Sequence, residues 1–182
     1  MSEEEAHVVY SATVEGLRRA IGDRLDERAH EKLAALGIPL EGKLAAAYPR
    51  NAWIAVSLYA GELLNPGMTP SEQRVALGRR FVRGYAETVV GGALLTALRI
   101  LGPRRALARF ERNMRTGTNY ARTQLREVDG GLLELDIINA PYPEWYEGMV
   151  REALEVTGAR DVKLEVVKLE PPAITTYRVS FR

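Results

Sequence analysis

The 182-residue chain contains 25 Lys and Arg residues, 24 Asp and Glu residues and no cysteine, and its formal net charge is +1. This length predicts one domain spanning residues 1–182 that buries about 70% of the surface its unfolded chain would expose. Without cysteine, the chain has no disulfides, no thiolate metal sites and no cysteine nucleophile. The near-neutral charge excludes a general attraction to nucleic acid, so an anionic partner would require a local basic patch.

Neither the N-terminal segment nor the most apolar segment of the chain indicates export or membrane insertion. The opening segment MSEEEAHVVYSATVEG is acidic, whereas a signal peptide needs basic residues followed by an apolar run, so we expect a cytoplasmic protein. The most apolar segment, Val89 to Leu101, is too short to span a bilayer. The sequence therefore predicts a buried core helix there and no membrane span.

Apolar residues recur at helical spacing in the first part of the chain. This pattern predicts helices over 13–21 and 26–36, the second with Asp26 as its N-cap and Gly37 as a left-handed residue at its end. A further helix is predicted from Pro49 to the break at Asn65-Pro66-Gly67.

The next predicted helix begins with a capping box, in which Thr69 and Glu72 satisfy each other's backbone amides. It is expected to run as far as Leu101. A glycine inside a helix costs about 1 kcal/mol relative to alanine, so the internal glycines predict either a kink or a closely packed neighbour. These glycines are Gly84, Gly91 and Gly92. Another helix is predicted from Arg104 to Met114, and Gly117 is predicted to end it in the left-handed conformation.

Alternating apolar and polar residues replace the helical period after residue 117. They predict strands over 120–128, 132–139, 162–169 and 174–181, with one amphipathic helix over 143–157. Asp129-Gly130-Gly131 is a tight-turn signal between the first two strands. The fold class is therefore α+β, with an N-terminal helical layer (1–117) followed by a C-terminal ββαββ antiparallel sheet unit (118–182).

The candidate catalytic residues are few. His7 and His30 have no second ligand at metal-binding spacing, so we interpret both as surface residues and expect no metal site. Glu134 and Asp136 share a strand face as a glycosidase pair does, but a solvent-facing strand gives the same alternation and is favoured. Glu87 lies beside an apolar run and would have a raised pKa if buried, although pairing with Arg83 or exposure is favoured.

Arginines are concentrated around the predicted helix that begins at Arg104. Arg105, Arg109 and Arg112 follow one another at i, i+4 and i+7, opposite Leu107 and Phe110. Together with Arg115 they form a candidate basic interaction face. Either a solvated helix surface or a site for an acidic protein partner explains the pattern, and the shortage of nearby aromatic residues argues against nucleic acid.

Several segments, including AAYPRNAW, LGRRFVRGYAETVVGGALL and YPEWYEGMVREALEVTGARDVKLEV, resemble a myxobacterial paralogous family of uncharacterised proteins. The resemblance extends from Val8 to Phe181. More distantly, the order of elements is similar to the haem nitric oxide/oxygen-binding (H-NOX) domain. The 4-vinyl reductase small-molecule-binding domain and trafficking-complex subunits that hold an acyl chain share that broad fold. The resemblance implies a ligand cavity between helices and sheet.

The chain departs from the haem binders at the residues that hold haem. The helix that carries their proximal histidine reads RRALARFERNMRT here, and the region of their Tyr-x-Ser-x-Arg motif reads DIINAPYP. We therefore expect no haem and no other cofactor. Helix phase predicts that the remaining pocket is lined by Tyr85, Val89, Gly92 and Trp145.

These observations favour a non-enzymatic bacterial signalling or scaffold module that binds a small apolar ligand between its two layers. Two alternatives stay open. One is an enzyme acting on a small hydrophobic or anionic substrate, with Glu87 and the arginines as its polar groups. The other is a protein-interaction domain, dimeric, that uses the basic face.

Overall fold

The computed structural model describes residues 7–128 and 132–182. Its first part is helical, as the sequence predicts, and includes α1 (Ser11–Ile21), α2 (Glu27–Ala35) and α3 (Arg50–Leu64). Two three-residue strands that the sequence pattern did not predict, β1 (Val8–Tyr10) and β2 (Ala47–Pro49), pair antiparallel at its edge. Strands this short contain too few residues to show alternation.

The predicted helix from Thr69 to Leu101 is two helices, so a continuous helix was wrong, whereas the kink predicted from the internal glycines is present. Helix α4 (Pro70–Ala86) ends before Glu87, and α5 (Val89–Leu101) leaves at a bend of 100°. Thr88 is the N-cap of α5, because its side chain accepts a hydrogen bond from the Gly91 amide at 3.0 Å. In the described part of the chain no single helix is long and apolar enough to cross a membrane. Helices α4 and α5 have the length and composition of a membrane span only when they are taken together as this bent pair.

The predicted helix from Arg104 to Met114 is also divided, into α6 (Pro103–Ala108) and α7 (Phe110–Met114). The break is at Arg109, whose backbone amide donates to the carbonyls of both Arg105 and Ala106. The bond to Ala106 is the tighter i to i−3 type that closes a helix end. The arginines of the candidate basic face therefore belong to two short helices.

The C-terminal part is one four-stranded antiparallel sheet and one helix. The strands are β3 (Arg122–Val128), β4 (Leu132–Ile138), β5 (Lys163–Glu170) and β6 (Ile174–Ser180), in the order β3-β4-β6-β5. Helix α8 (Pro143–Val156) connects β4 to β5. This arrangement confirms the predicted α+β fold with its ββαββ unit. The predicted turn at Asp129-Gly130-Gly131 lies outside the described residues.

Helix α4 is the centre of the packing, since it contacts both α1 and α8. Glycines bring the backbones together at these crossings. A Cβ on Gly78 would lie 2.1 Å from the Trp145 carbonyl oxygen, and a Cβ on Gly84 would lie 2.5 Å from the Ala20 amide nitrogen. The close-packing explanation for Gly84 is therefore confirmed.

Most predicted helix ends are confirmed, but one is wrong. Asp26 accepts from the Ala29 amide at 2.8 Å, Thr69 forms its capping box with Glu72, and Gly37 has a φ of 100°. Gly117 is not among the glycines with positive φ. Glycine is needed at position 117 because a Cβ there would lie 2.6 Å from Thr13 Oγ1. The Gly117 carbonyl also accepts a hydrogen bond from the Thr13 hydroxyl at 3.0 Å.

Candidate functional site

An apolar cavity of about 90 Å³ lies among α3, α4, α5, α7 and α8 and the segment that precedes β3. Aromatic side chains form much of its wall: Trp53, Phe81, Tyr85, Phe110, Tyr120, Trp145 and Tyr146. Helix α5 contributes Leu94, Leu95 and Leu98, and α8 contributes Met149 and Ala153. Both parts of the chain contribute, but no described residue of β3, β4, β5 or β6 lines the cavity. The expected position between helices and sheet was therefore wrong, and the cavity lies among the helices.

The aromatic wall is held by ring contacts between helices. Trp145 meets Trp53 edge to face, with centroids 5.8 Å apart, and it lies 5.0 Å from Phe81. Phe81 stacks on Tyr85 at 5.8 Å. Such pairs contribute about 0.5–1.5 kcal/mol each beyond the apolar area they bury. These contacts join α3, α4 and α8 on one side of the cavity.

One end of the cavity is polar, where it is lined by Thr13, Asn113, Thr116, Gly117 and Thr118. The threonine hydroxyls already donate to backbone carbonyls, Thr116 to Asn113 at 2.7 Å and Thr118 to Val8 at 3.0 Å. The Thr118 oxygen also accepts from the Tyr120 amide at 3.3 Å, and the Thr116 hydroxyl bonds the Tyr85 side chain. One of the two acceptor sites of each hydroxyl oxygen therefore remains. This end can therefore accept a hydrogen bond from a bound molecule.

No charged residue and no histidine are among the described residues that line this cavity. Its titratable groups are tyrosines. Burial raises the pKa of Tyr85, against a smaller effect of its hydrogen bond with Thr116, and burial raises the pKa of Tyr120 to about 12. Burial likewise raises the pKa of Tyr146. These hydroxyls are protonated at neutral pH, so the cavity is uncharged.

The structure brings together two of the four residues predicted to line a pocket. Tyr85 and Trp145 both line the cavity. Val89 does not, because it is 92% exposed, and Gly92 is also outside the lining. The break at Thr88 changes the helix phase on which those two assignments depended. Both glycines are closely packed against backbone, Gly91 more so: its Cβ would lie 1.9 Å from the Tyr85 carbonyl oxygen, whereas a Cβ on Gly92 would lie 2.9 Å from the Ala86 carbonyl oxygen.

A second, smaller cavity of about 40 Å³ lies behind the same wall and shares Trp53, Tyr120, Trp145 and Tyr146 with the first. Arg74 reaches its rim, where the guanidinium is bound by Glu144 at 2.9 and 3.2 Å. Because that charge is already paired, it does not alter the uncharged character of the aromatic wall.

The carboxylate pair on β4 belongs to a structural network. Asp136 is 5% exposed, which corrects the prediction that this face is open to solvent. It accepts two hydrogen bonds from Arg126, at 3.0 and 3.1 Å, and one from Thr176 at 2.7 Å. Burial opposes its ionisation, but these bonds outweigh it and lower the pKa of Asp136. Glu134 pairs with Arg178 at 3.2 Å, so neither carboxylate is free for catalysis.

The remaining candidate polar residues lie away from the cavity. Glu87 is exposed, and Arg83 pairs with Glu152 at 2.6 Å instead. His7 is exposed, whereas His30 is half-buried with its Nδ1 3.7 Å from Glu41. Across residues 7–128 and 132–182, no group of three or more histidine or acidic residues is placed to hold a metal ion.

The residues of the candidate basic face are all exposed: Arg105, Arg109, Arg112 and Arg115. Arg115 pairs with Glu111 at 2.8 Å. For the other three, no side-chain ion pair or hydrogen bond forms within the described part of the chain. The structure thus leaves three guanidinium groups in solvent beside one short ion pair.

The fold has known relatives at low sequence identity. An H-NOX protein from S. oneidensis in the Fe(II)NO ligation state superposes with a TM-score of 0.71 at 8% identity, covering 95% of this chain and 99% of that one. The Fe(II) unliganded H-NOX protein from K. algicida superposes with a TM-score of 0.62 at 14% identity, covering 94% and 95%. Identities this low establish the fold alone, which is that of H-NOX domains.

No curated protein sequence matches the chain. A family model described as "Protein of unknown function (DUF2378)" matches residues 7–181, which is almost the whole length. The chain, with its H-NOX-like fold and its uncharged aromatic cavity, therefore belongs to the DUF2378 family.

Proposed function

We propose that this protein is a sensor-type domain that binds a small, uncharged and largely apolar molecule in the aromatic cavity. It acts as a non-enzymatic signalling or scaffold module in the bacterial cytoplasm. The observation that carries the proposal is the composition of the lining, which combines seven aromatic side chains with one polar end and no charged group. A few placed polar groups in an apolar wall are typical of small-molecule sites.

The cavity's chemistry selects the ligand class. A charged ligand would lose its hydration without meeting an opposite charge, and burying an unpaired charge is strongly unfavourable. A volume of about 90 Å³ is well below the roughly 300–1,000 Å³ of pockets for drug-sized ligands. A single ring or short chain with one hydrogen-bond donor, directed at Thr116 and Thr118, fits these limits.

The lining also supports a role without catalysis. General acid-base catalysis needs a group whose pKa lies near the working pH, and burial moves the tyrosine pKa values further from neutrality. Of the candidate carboxylates, Glu87 is exposed and Asp136 is held by Arg126. Ligand binding therefore accounts for the site better than a reaction does.

Haem, which the H-NOX relatives suggest, does not fit the residues present. The cavity volume is too small for the macrocycle, and its described lining has no histidine to coordinate iron and no cation to bind propionates. We expect that protein produced with haem supplied shows no stoichiometric Soret band. A band that disappears in a His30→Ala variant would show that the ligand set had been assigned wrongly.

Native mass spectrometry of freshly purified protein tests the proposal directly. We expect a bound small molecule, or a cavity that takes up cyclohexanol added as a probe. Ala153→Leu adds three carbons inside the lining, so this variant should keep its fold and lose the adduct. Equal adducts in both proteins would place the bound molecule elsewhere and contradict the proposal.

A further inference from the structure

Helix α5 has two apolar faces, and only one of them lines the cavity. The outward face is exposed although apolar, with Val89 at 92%, Val90 at 55% and Ile100 at 83%. Ala93 and Ala97 are also exposed. Positions 90, 93, 97 and 100 follow helical spacing, so these side chains form one continuous stripe. A stripe this apolar on a surface helix indicates an interaction site.

Charge is distributed unevenly around this stripe. Residues 88–115 contain six arginines and one glutamate, a net charge of +5, while the whole chain carries +1. The rest of the molecule therefore carries −4. Ile100 is followed within five residues by the exposed Arg104 and Arg105, so apolar and basic surface adjoin.

The basic residues are available for a partner. In the described parts of the chain, the side chains of Arg105, Arg109 and Arg112 form no ion pair, whereas arginines of α4 such as Arg74 and Arg83 are paired with acids of α8. Unpaired guanidinium groups bind phosphate well, because they are weakly hydrated and present several donors in one plane. Their complement is an anionic surface.

We propose that α5, α6 and α7 form a docking face for an anionic lipid surface. The face is composed of the apolar stripe (Val89, Val90, Ala93, Ala97 and Ile100) and the three unpaired arginines (Arg105, Arg109 and Arg112). An apolar helix face lies at the boundary of headgroups and acyl chains, and adjacent basic residues are attracted to the lipid phosphates. The cavity lies behind the inner face of α5, so docking places it next to the bilayer.

Two other occupants fit the observations less well. A stable protein interface engages about 20–30 residues on each side, many more than this stripe and its arginines provide. A second copy of the chain would bring two sets of three unpaired arginines together, and opposed like charges are unfavourable. An anionic bilayer satisfies both the apolar and the basic part of the face.

Vesicle flotation with purified protein tests the docking face. We expect binding to phosphatidylcholine vesicles that contain phosphatidylglycerol, weaker binding as salt rises, and none to phosphatidylcholine alone. Changing Arg105, Arg109 and Arg112 together to glutamine should weaken binding on the order of 100-fold. The matched control changes the exposed Arg24, Arg28 and Arg160 to glutamine, which removes the same charge elsewhere and should leave binding unchanged.

A second pair of variants tests the apolar stripe. Val89→Ser with Ile100→Ser should lose vesicle binding while the protein stays folded. Val166→Ser with Leu169→Ser, which alters exposed apolar residues of β5, should retain it. Three results would overturn the proposal: equal loss in both arginine triples, binding to phosphatidylcholine alone, or a dimer in light scattering that Ile100→Ser dissociates. Binding to polyglutamate but not to vesicles would indicate an acidic protein partner instead.

Discussion

Helices α4 and α5 are neighbours in the chain but differ in what surrounds them. Helix α4 is packed on two sides at glycine crossings, and its arginines pair with α8, Arg74 with Glu144 at 2.9 Å and Arg83 with Glu152 at 2.6 Å. Helix α5 faces the cavity on one side and solvent on the other. Helix α4 therefore holds the fold together, while α5 is available for binding.

The largest expected effect concerns the crossing of α4 with α8. Gly78→Ala should destabilise the protein by about 3 kcal/mol, because overpacking forces the helices apart, and its Cβ would lie 2.1 Å from the Trp145 carbonyl oxygen. Urea unfolding measures the change. Gly61→Ala in α3 is the control, since its Cβ would meet Gln73 atoms no closer than 3.6 Å. That control should gain up to about 1 kcal/mol from helix propensity, and an equal loss in both variants would contradict the account.

A smaller effect is expected in the sheet, where charge pairing also serves the fold. Asp136→Asn should cost about 2 kcal/mol at pH 7, because it weakens charge-assisted bonds to Arg126 and Thr176. The native pKa of Asp136 is lowered, so its carboxylate stabilises the fold fully above the ordinary value of about 3.9, and this stabilisation is lost progressively as pH falls from there through the lower native pKa. Unfolding measured from pH 7 to pH 3 should therefore show the two proteins converging. A constant difference would show that the charge is not responsible.

At the polar end of the cavity we expect a loss of about 1 kcal/mol from Gly117→Ala, typical of one hydrogen bond. The added Cβ would lie 2.6 Å from Thr13 Oγ1 and displace that hydroxyl from the Gly117 carbonyl. In a Thr13→Ser background the hydroxyl has more room to rotate, so the loss should shrink. A loss unaffected by residue 13 would contradict the explanation through the Thr13 hydroxyl.

The smallest effect on stability is expected on the exposed face of α5. Val89→Ser with Ile100→Ser should change the free energy of unfolding by no more than about 0.5 kcal/mol each, as for surface positions in general. A thermal melt is sufficient to measure it. A large destabilisation would mean that these side chains are buried, and α5 would then resemble α4.

Sequence reasoning identified most elements because their signals are local. Capping residues such as Asp26 and Thr69 act within three positions, and strand alternation in the ββαββ unit depends on neighbouring residues. The position of the helix break at Thr88 was missed because apolar residues recur at helical spacing on both sides of it. A threonine three residues before a glycine was the available signal.

The cavity is formed by tertiary packing between several helices, so helix phase alone could identify only some of the residues that line it. Tyr85 precedes the break and lines the cavity, whereas Val89 follows it and is exposed. The spacing of Leu94, Leu95 and Leu98 in α5 would have indicated the inner face once the helix was started at Thr88. Residues from the turn at Thr116 to Thr118 gave no periodic signal, because they line the cavity from an irregular segment.

Intrinsic fluorescence tests the central claim, an uncharged ligand cavity, most directly. The chain has two tryptophans, and Trp53 and Trp145 both line the cavity. Titration with cyclohexanol should change the emission saturably, whereas cyclohexanecarboxylate, which has the same ring and a charge, should have no saturable effect. The Ala153→Leu variant should respond to neither compound. Equal responses to the two compounds, or a cyclohexanol response that survives in Ala153→Leu, would contradict the assignment of this cavity as the binding site.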